Sequence, residues 1–179
     1  MRWLVGNKSN LQNIVQVKEN KFELNLSQKD YTPEDKESTD NVQYIQVVVD
    51  RIPSTFDIQQ ELIKVQKEYD SSDEVNSFTI NGVEGWLDKQ TRLSIKNAID
   101  ILEDEGETNY TLWLGNNSIE MSIVDIKHIL AQIEIYAVEC YNVTRNYLNE
   151  IPTLSRADVF NFDISKDYPS KLVFELNKD

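Results

Sequence analysis

The sequence predicts an α+β protein: two β-hairpins alternate with two amphipathic helices (hairpin–helix–hairpin–long helix), preceded by a strand-rich N-terminal arm. Three observations predict it. Asn81-Gly82 stands between two short apolar runs, 78–80 and 83–87, and this dipeptide suits a two-residue hairpin turn because both central residues need positive φ. Two long segments, about 89–105 and 123–149, carry apolar residues at the 3.6-residue period of a helix with one covered face. Tyr44-Ile45-Gln46-Val47-Val48-Val49 is a β-branched run of strand length.

The elements follow in order. Arg2 to Val5 reads as a short strand and Asn13 to Leu26 as a second, with Phe22, Leu24 and Leu26 alternating against Glu23 and Asn25. Residues 27–41 mix charges densely around Pro33 and read as a loop or linker. Val42 to Asp50 is a strand that Pro53 ends, because proline donates no ladder hydrogen bond. Ser54 or Thr55 then caps a helix over about 55–70, with Ile58, Leu62, Val65 and Tyr69 on one face. Ser71-Ser72-Asp73 breaks it, and the Asn81-Gly82 hairpin follows.

Asp88 or Thr91 caps the next helix, whose apolar side is Leu93, Ile95, Ala98, Ile99, Ile101 and Leu102. Gly106 stands where a helix end wants a left-handed residue. Tyr110 to Leu114 and Ile119 to Met121 form a second hairpin around 115–118. Ser122 and Asp125 have capping-box spacing ahead of the long helix. Its period is kept by Ile126, Ile129, Leu130, Ile133, Tyr136, Ala137, Cys140, Tyr141 and Leu148, and Pro152 stops it. A turn of helix capped by Ser155 and a strand within Lys171–Leu176 complete the chain. The expected organisation is an arm or docking segment over 1–53, a connecting helix over 54–72 and a globular domain over 73–179.

Composition narrows the functional classes. With 179 residues, 40% hydrophobic and 27% charged, the chain can bury a core. The net charge of −13 and a pI of about 4.5, with no window that concentrates Lys and Arg, argue against direct contact with nucleic-acid phosphates. Acidity serves solubility first, and an acidic decoy for basic partners is the sharper alternative. The opening residues lack the apolar region of a signal peptide, and no run is long and apolar enough to span a membrane. The single cysteine, Cys140, sits on an apolar helix face and reads as a buried structural thiol.

No residues assemble into chemistry. His128 is the only histidine and has no His or Cys within helical reach, so a surface position outweighs a metal ligand. It lies twelve residues from Cys140 on the same helix, which keeps them apart as a catalytic pair. Glu103-Asp104-Glu105 with Glu107 lacks the register of a calcium loop and reads as a solvated helix end. The aromatics Trp86, Trp113, Tyr110, Tyr136 and Tyr141 read first as core, with a carbohydrate- or partner-binding surface as the alternative. Trp3, close to an end that would normally fray, implies docking either onto this fold or onto a neighbour. No catalytic residue, cofactor or metal is expected.

Glu74-Val75-Asn76-Ser77-Phe78-Thr79-Ile80-Asn81-Gly82-Val83 and Trp86-Leu87-Asp88-Lys89-Gln90-Thr91-Arg92 resemble a domain of unknown function. It occurs in tail-fibre, tail-accessory and other structural proteins of tailed phages and prophages of gut bacteria. Thr111 to Gly115, Glu134 to Thr144 and Tyr168 to Leu172 continue the resemblance, which spans roughly residues 60–176. It implies a non-enzymatic virion component, a tail or head-fibre adaptor or assembly protein. Its partners would be other virion proteins in an oligomeric assembly, put together in the bacterial cytoplasm. Residues 1–50 lie outside the resemblance. Their Trp3, Phe22, Leu24, Leu26 and Tyr44 are the expected partner-docking residues, ordered by burial against neighbouring subunits. The alternatives are a glycan- or protein-binding module and the acidic decoy.

Overall fold

A computed structural model describes residues 2–32 and 40–176. The protein is α+β, and the chain divides into two compact units. One comprises Met1–Asp70 with Val143–Asp167, the other Ser71–Asn142 with Tyr168–Asp179. The strands of 1–53 therefore belong with the helix after them and with a distant part of the chain. This differs from the expected partition into an arm, a connecting helix and a globular domain over 73–179. Sequence order hides the division because each unit is built from two separate stretches.

The first unit holds a four-stranded antiparallel sheet of β1 (Trp3–Asn7), β2 (Ile14–Lys18), β3 (Lys21–Asp30) and β4 (Asn41–Val49), in the order β1-β4-β3-β2. Two expectations are corrected. Asn13–Leu26 is a hairpin rather than one strand: the chain turns at Glu19-Asn20, pairing Ile14 with Leu24 and Lys18 with Lys21. β3 also continues to Asp30, beyond the proposed start of the loop at 27. A bulge between Leu26 and Lys29 accommodates Ser27 at φ 52°, so polarity there marks a bend in the strand. Residues 33–39 of the expected loop lie outside the described residues.

α1 (Thr55–Asp70) begins at Ser54. The Ser54 Oγ accepts from the Asp57 N–H at 3.2 Å, and the Asp57 carboxylate accepts from the Ser54 N–H at 2.9 Å. This reciprocal box satisfies donors the first turn would leave open. Ile58, Leu62, Val65 and Tyr69 are buried, as their spacing requires. α5 (Asp158–Asn161) packs on β3 and buries Val159 and Phe160. Ser155 caps it, its Oγ accepting from the Asp158 N–H.

The second unit contains a short α2 (Asp73–Asn76), the hairpin β5 (Phe78–Ile80) and β6 (Val83–Gly85), α3 (Lys89–Asp104) and the hairpin β7 (Asn109–Leu114) and β8 (Asn117–Ser122). It also holds α4 (Ile123–Glu150) as far as Asn142; from Val143 the helix counts with the first unit, and Ile151–Thr153 adds a 3-10 turn. β9 (Val173–Phe174) pairs with β5 in parallel, giving the order β6-β5-β9. Asn81 and Gly82 take φ of 49° and 76°, as the hairpin turn requires. The Asp88 carboxylate accepts from the Thr91 N–H at 2.9 Å to start α3, and the Ser122–Asp125 pair starts α4. The 115–118 turn is tighter than expected, closing with Leu114 opposite Asn117. Ile80, Ile99, Leu112, Ile126 and Ile129 lie at the centre of one apolar core.

Side-chain placement departs from expectation at five positions in this unit. Leu93, Ile101 and Tyr141 are exposed, and so are Trp86 (56%) and Trp113 (64%). Tyr141 lies outside the covered stripe, which passes through its neighbour Cys140 instead. Trp113 points away from the core because its β7 neighbours Leu112 and Leu114 point into it, and strand side chains alternate.

Candidate functional site

The five residues expected to dock a partner have roles inside the first unit. Phe22, Leu24 and Leu26 are buried. They form the covered face of β3, where burying each large apolar side chain stabilises by about 1.5–3 kcal/mol, and so are not presented for docking. Tyr44 is half-buried and its ring lies over Gly6 of β1, where an added Cβ would be 3.1 Å from the ring. Trp3 is half-buried under Lys29, whose Nζ lies 4.2 Å from the ring centre and donates to Ser165 Oγ at 2.6 Å. Trp3 thus docks onto its own fold, in contact with a cation whose attraction to the ring face holds the strand end.

In the second unit a groove of about 460 Å³ runs between α3 and α4. Ile99 and Leu130 contribute its apolar floor, with Leu93 and Ala131 toward solvent. Lys89, Arg92, Lys96 and Lys127 line it against only two carboxylates, Asp100 and Glu134. A locally positive surface is conspicuous in a chain of net charge −13. Helical spacing creates it: Lys89 and Lys96 are seven apart and so share one side of α3.

Ion pairs tie the two walls together. The Arg92 side chain is only 12% exposed; its Nε donates to the Glu134 carboxylate at 2.7 Å and its Nη1 to the Leu87 carbonyl at 2.6 Å. The Arg92 hydrogen bond holds the Glu134 carboxyl below its ordinary value, and the fields of Arg92, Lys89 and Lys96 act in the same direction. Lys127 bonds Glu103 and lies 3.7 Å from Asp100, and the Glu103 bond raises its pKa. Lys89 and Lys96 are exposed and enter no ion pair among the described residues. They are the cations free to meet a ligand.

Along its exposed side, opposite the core-facing stripe, α4 carries a second apolar row. Val124, Ala131, Ile135 and Val138 are all exposed. Sequence reading missed this row because the core stripe of the same helix has the stronger period; the steps of seven, four and three between the four residues were the available signal.

A second groove, in the first unit, is lined by Val48, Arg51, Phe56 and Asp57 among others, with Arg51 paired to Asp57. Its charges are mutually satisfied. His128 is exposed and Cys140 buried on α4. Tyr147 is pushed well above the ordinary phenol range by burial; its hydroxyl accepts from the Asp167 N–H at 3.0 Å. Among the described residues no three of His, Cys, Asp and Glu converge on a position for a metal ion. Among the described residues no helix is long and apolar enough to cross a membrane. The chain matches no protein-family model, no curated protein and no solved structure with which it was compared.

Proposed function

We propose that the protein is a non-enzymatic structural component of a phage virion, a tail or head-fibre adaptor or assembly protein working among other virion proteins. The observation that carries the assembly reading is the exposed apolar row on α4, in which Val124, Ile135 and Val138 are 75%, 54% and 58% exposed. Apolar side chains grouped on a rigid element mark a surface that another protein covers. The resemblance of residues 60–176 to tail-associated structural proteins supplies the virion context. The test is mass spectrometry of particles purified from a producing bacterial culture, beside the soluble lysate. The chain should copurify with particles at a fixed stoichiometry. A chain abundant in lysate and missing from particles overturns the proposal.

A binding module for glycans is the second reading, favoured by the exposure of both Trp86 and Trp113. An indole face stacks on the apolar face of a sugar ring, as such amphipathic rings do at interfaces. Trp113 is on β7 and Trp86 directly follows β6, whose Gly85 packs against Leu114 of β7. Retention on a glycan array that Trp113→Ala abolishes would favour this reading over the first.

A further inference from the structure

On α4, Val124, His128, Ala131, Ile135 and Val138 follow each other in steps of four, three, four and three, and all five are exposed. This is the 3.5-residue spacing of a helix-pairing seam. It lies on the side of α4 opposite the stripe of Ile126, Ile129, Ile133 and Tyr136 that the fold already covers. At 1.5 Å per residue the seam is about 21 Å long, four turns of a partner helix. That is longer than a small ligand filling the groove alone would use.

The flanks of the seam differ. Lys127, Glu134 and Tyr141 lie on the side of the α3–α4 groove, where Lys89 and Lys96 add unpaired positive charge. Asp125, Gln132 and Glu139 lie on the other side. A second copy of this chain is a poor complement. Pairing α4 with itself in parallel sets Glu134 against Glu139, and antiparallel pairing centred on Gln132 sets Asp125 against Glu139. Like charges at these flanking positions oppose pairing.

We propose that the α4 seam and the cation-lined groove together bind an amphipathic helix of a partner protein. That helix presents acidic residues over Lys89 and Lys96 and basic residues over Asp125 and Glu139. Its apolar stripe covers Val124, Ala131, Ile135 and Val138, and its acidic flank settles against α3. The inference rests on the assembly reading and gives the partner its chemistry.

The test titrates the full chain with fluorescein-labelled synthetic helices of about three heptads, read by fluorescence anisotropy. All share one leucine seam. One has acidic and basic flanks in the proposed arrangement, and a second has them exchanged. The matched helix should bind at least about tenfold more tightly, a margin that a few partly screened charge pairs supply. Lys89→Glu combined with Lys96→Glu should reverse the preference. Ile135→Asp, an exposed change with circular dichroism as the folding control, should abolish binding of both. Equal binding of the two helices, a preference unmoved by the charge reversal, or self-association that Ile135→Asp removes would each overturn the proposal. The particle experiment fails separately: a chain missing from particles that still discriminates between the helices refutes the virion assignment alone.

Discussion

Gly85→Ala tests a close approach between the two hairpins of the second unit. A Cβ on Gly85 would stand 2.7 and 2.8 Å from the two Cδ atoms of Leu114 and 3.1 Å from its Cγ. Carbon atoms prefer about 3.5–4.0 Å. Both methyls clash, so a turn about the last side-chain bond of Leu114 cannot clear the space. Leu114 is buried among the core residues, so it must leave its rotamer or the strands must part. Overpacking of this kind costs about 1–3 kcal/mol. Leu114→Ala by itself costs about 2–5 kcal/mol through lost burial and a cavity. In the double variant the added methyl no longer meets Leu114 and fills part of the cavity. The cost of the double variant should therefore fall short of the sum of the two single costs by at least about 1 kcal/mol, the scale of coupling between touching residues. Urea unfolding followed by circular dichroism measures all four proteins, with unchanged slopes as the check that compactness is the same. For a chain of this length a loss of 2 kcal/mol also lowers Tm by about 4–8 °C. A Gly85→Ala protein as stable as the parent, or strictly additive losses, would refute the packing argument.

The remaining predictions concern one buried hydrogen bond and one titrating group. Ser27 and Ile164 are both fully buried, and the Ser27 Oγ accepts from the Ile164 N–H at 3.1 Å. Ser27→Ala should cost about 1–3 kcal/mol in the same urea assay by leaving that donor unmet. Ser27→Gly should be milder, because the residue sits at φ 52°, where glycine is unstrained; equal losses would count against the backbone part of the reasoning. Glu134 is held below its ordinary value of 4.5, chiefly by Arg92, so its ionised form favours the fold. That contribution is complete above 4.5 and disappears as pH falls through the lowered value. Glu134→Gln should therefore be less stable than the parent near neutral pH and converge with it in acid. Urea midpoints that stay a constant distance apart across this range would sink the assignment.

Local chemistry was legible at most helix starts and at the glycine-bearing turns, though not at the Glu19-Asn20 turn. Ser54, Asp88, Ser122 and Ser155 start helices with the capping bonds their spacing implies. Asn81, Gly82, Gly106 and Gly115 take the positive φ their turns demand. Each outcome turns on a few adjacent residues whose stereochemistry is fixed by type. The groove was half legible. The caps and periods placed α3 and α4 correctly, but no local pattern says that Arg92 will meet Glu134 across forty-two residues.

The sequence by itself determined that this is an α+β protein, where α1, α3, α4 and α5 start and where the Asn81-Gly82 turn lies. Only the tertiary structure decided how distant segments combine: that β9 joins β5 in parallel, that 143–167 completes the unit begun by the N-terminal strands, and which apolar surfaces are covered. α4 shows the physical reason. It carries two apolar rows, and periodicity marks a row as apolar without saying what lies against it. The β-sheet hairpins, α3 and β9 cover Ile126 and Ile129, while Val124, Ile135 and Val138 stay in solvent. Burial is a property of what packs from elsewhere in the chain, and so is the surface left over for a partner.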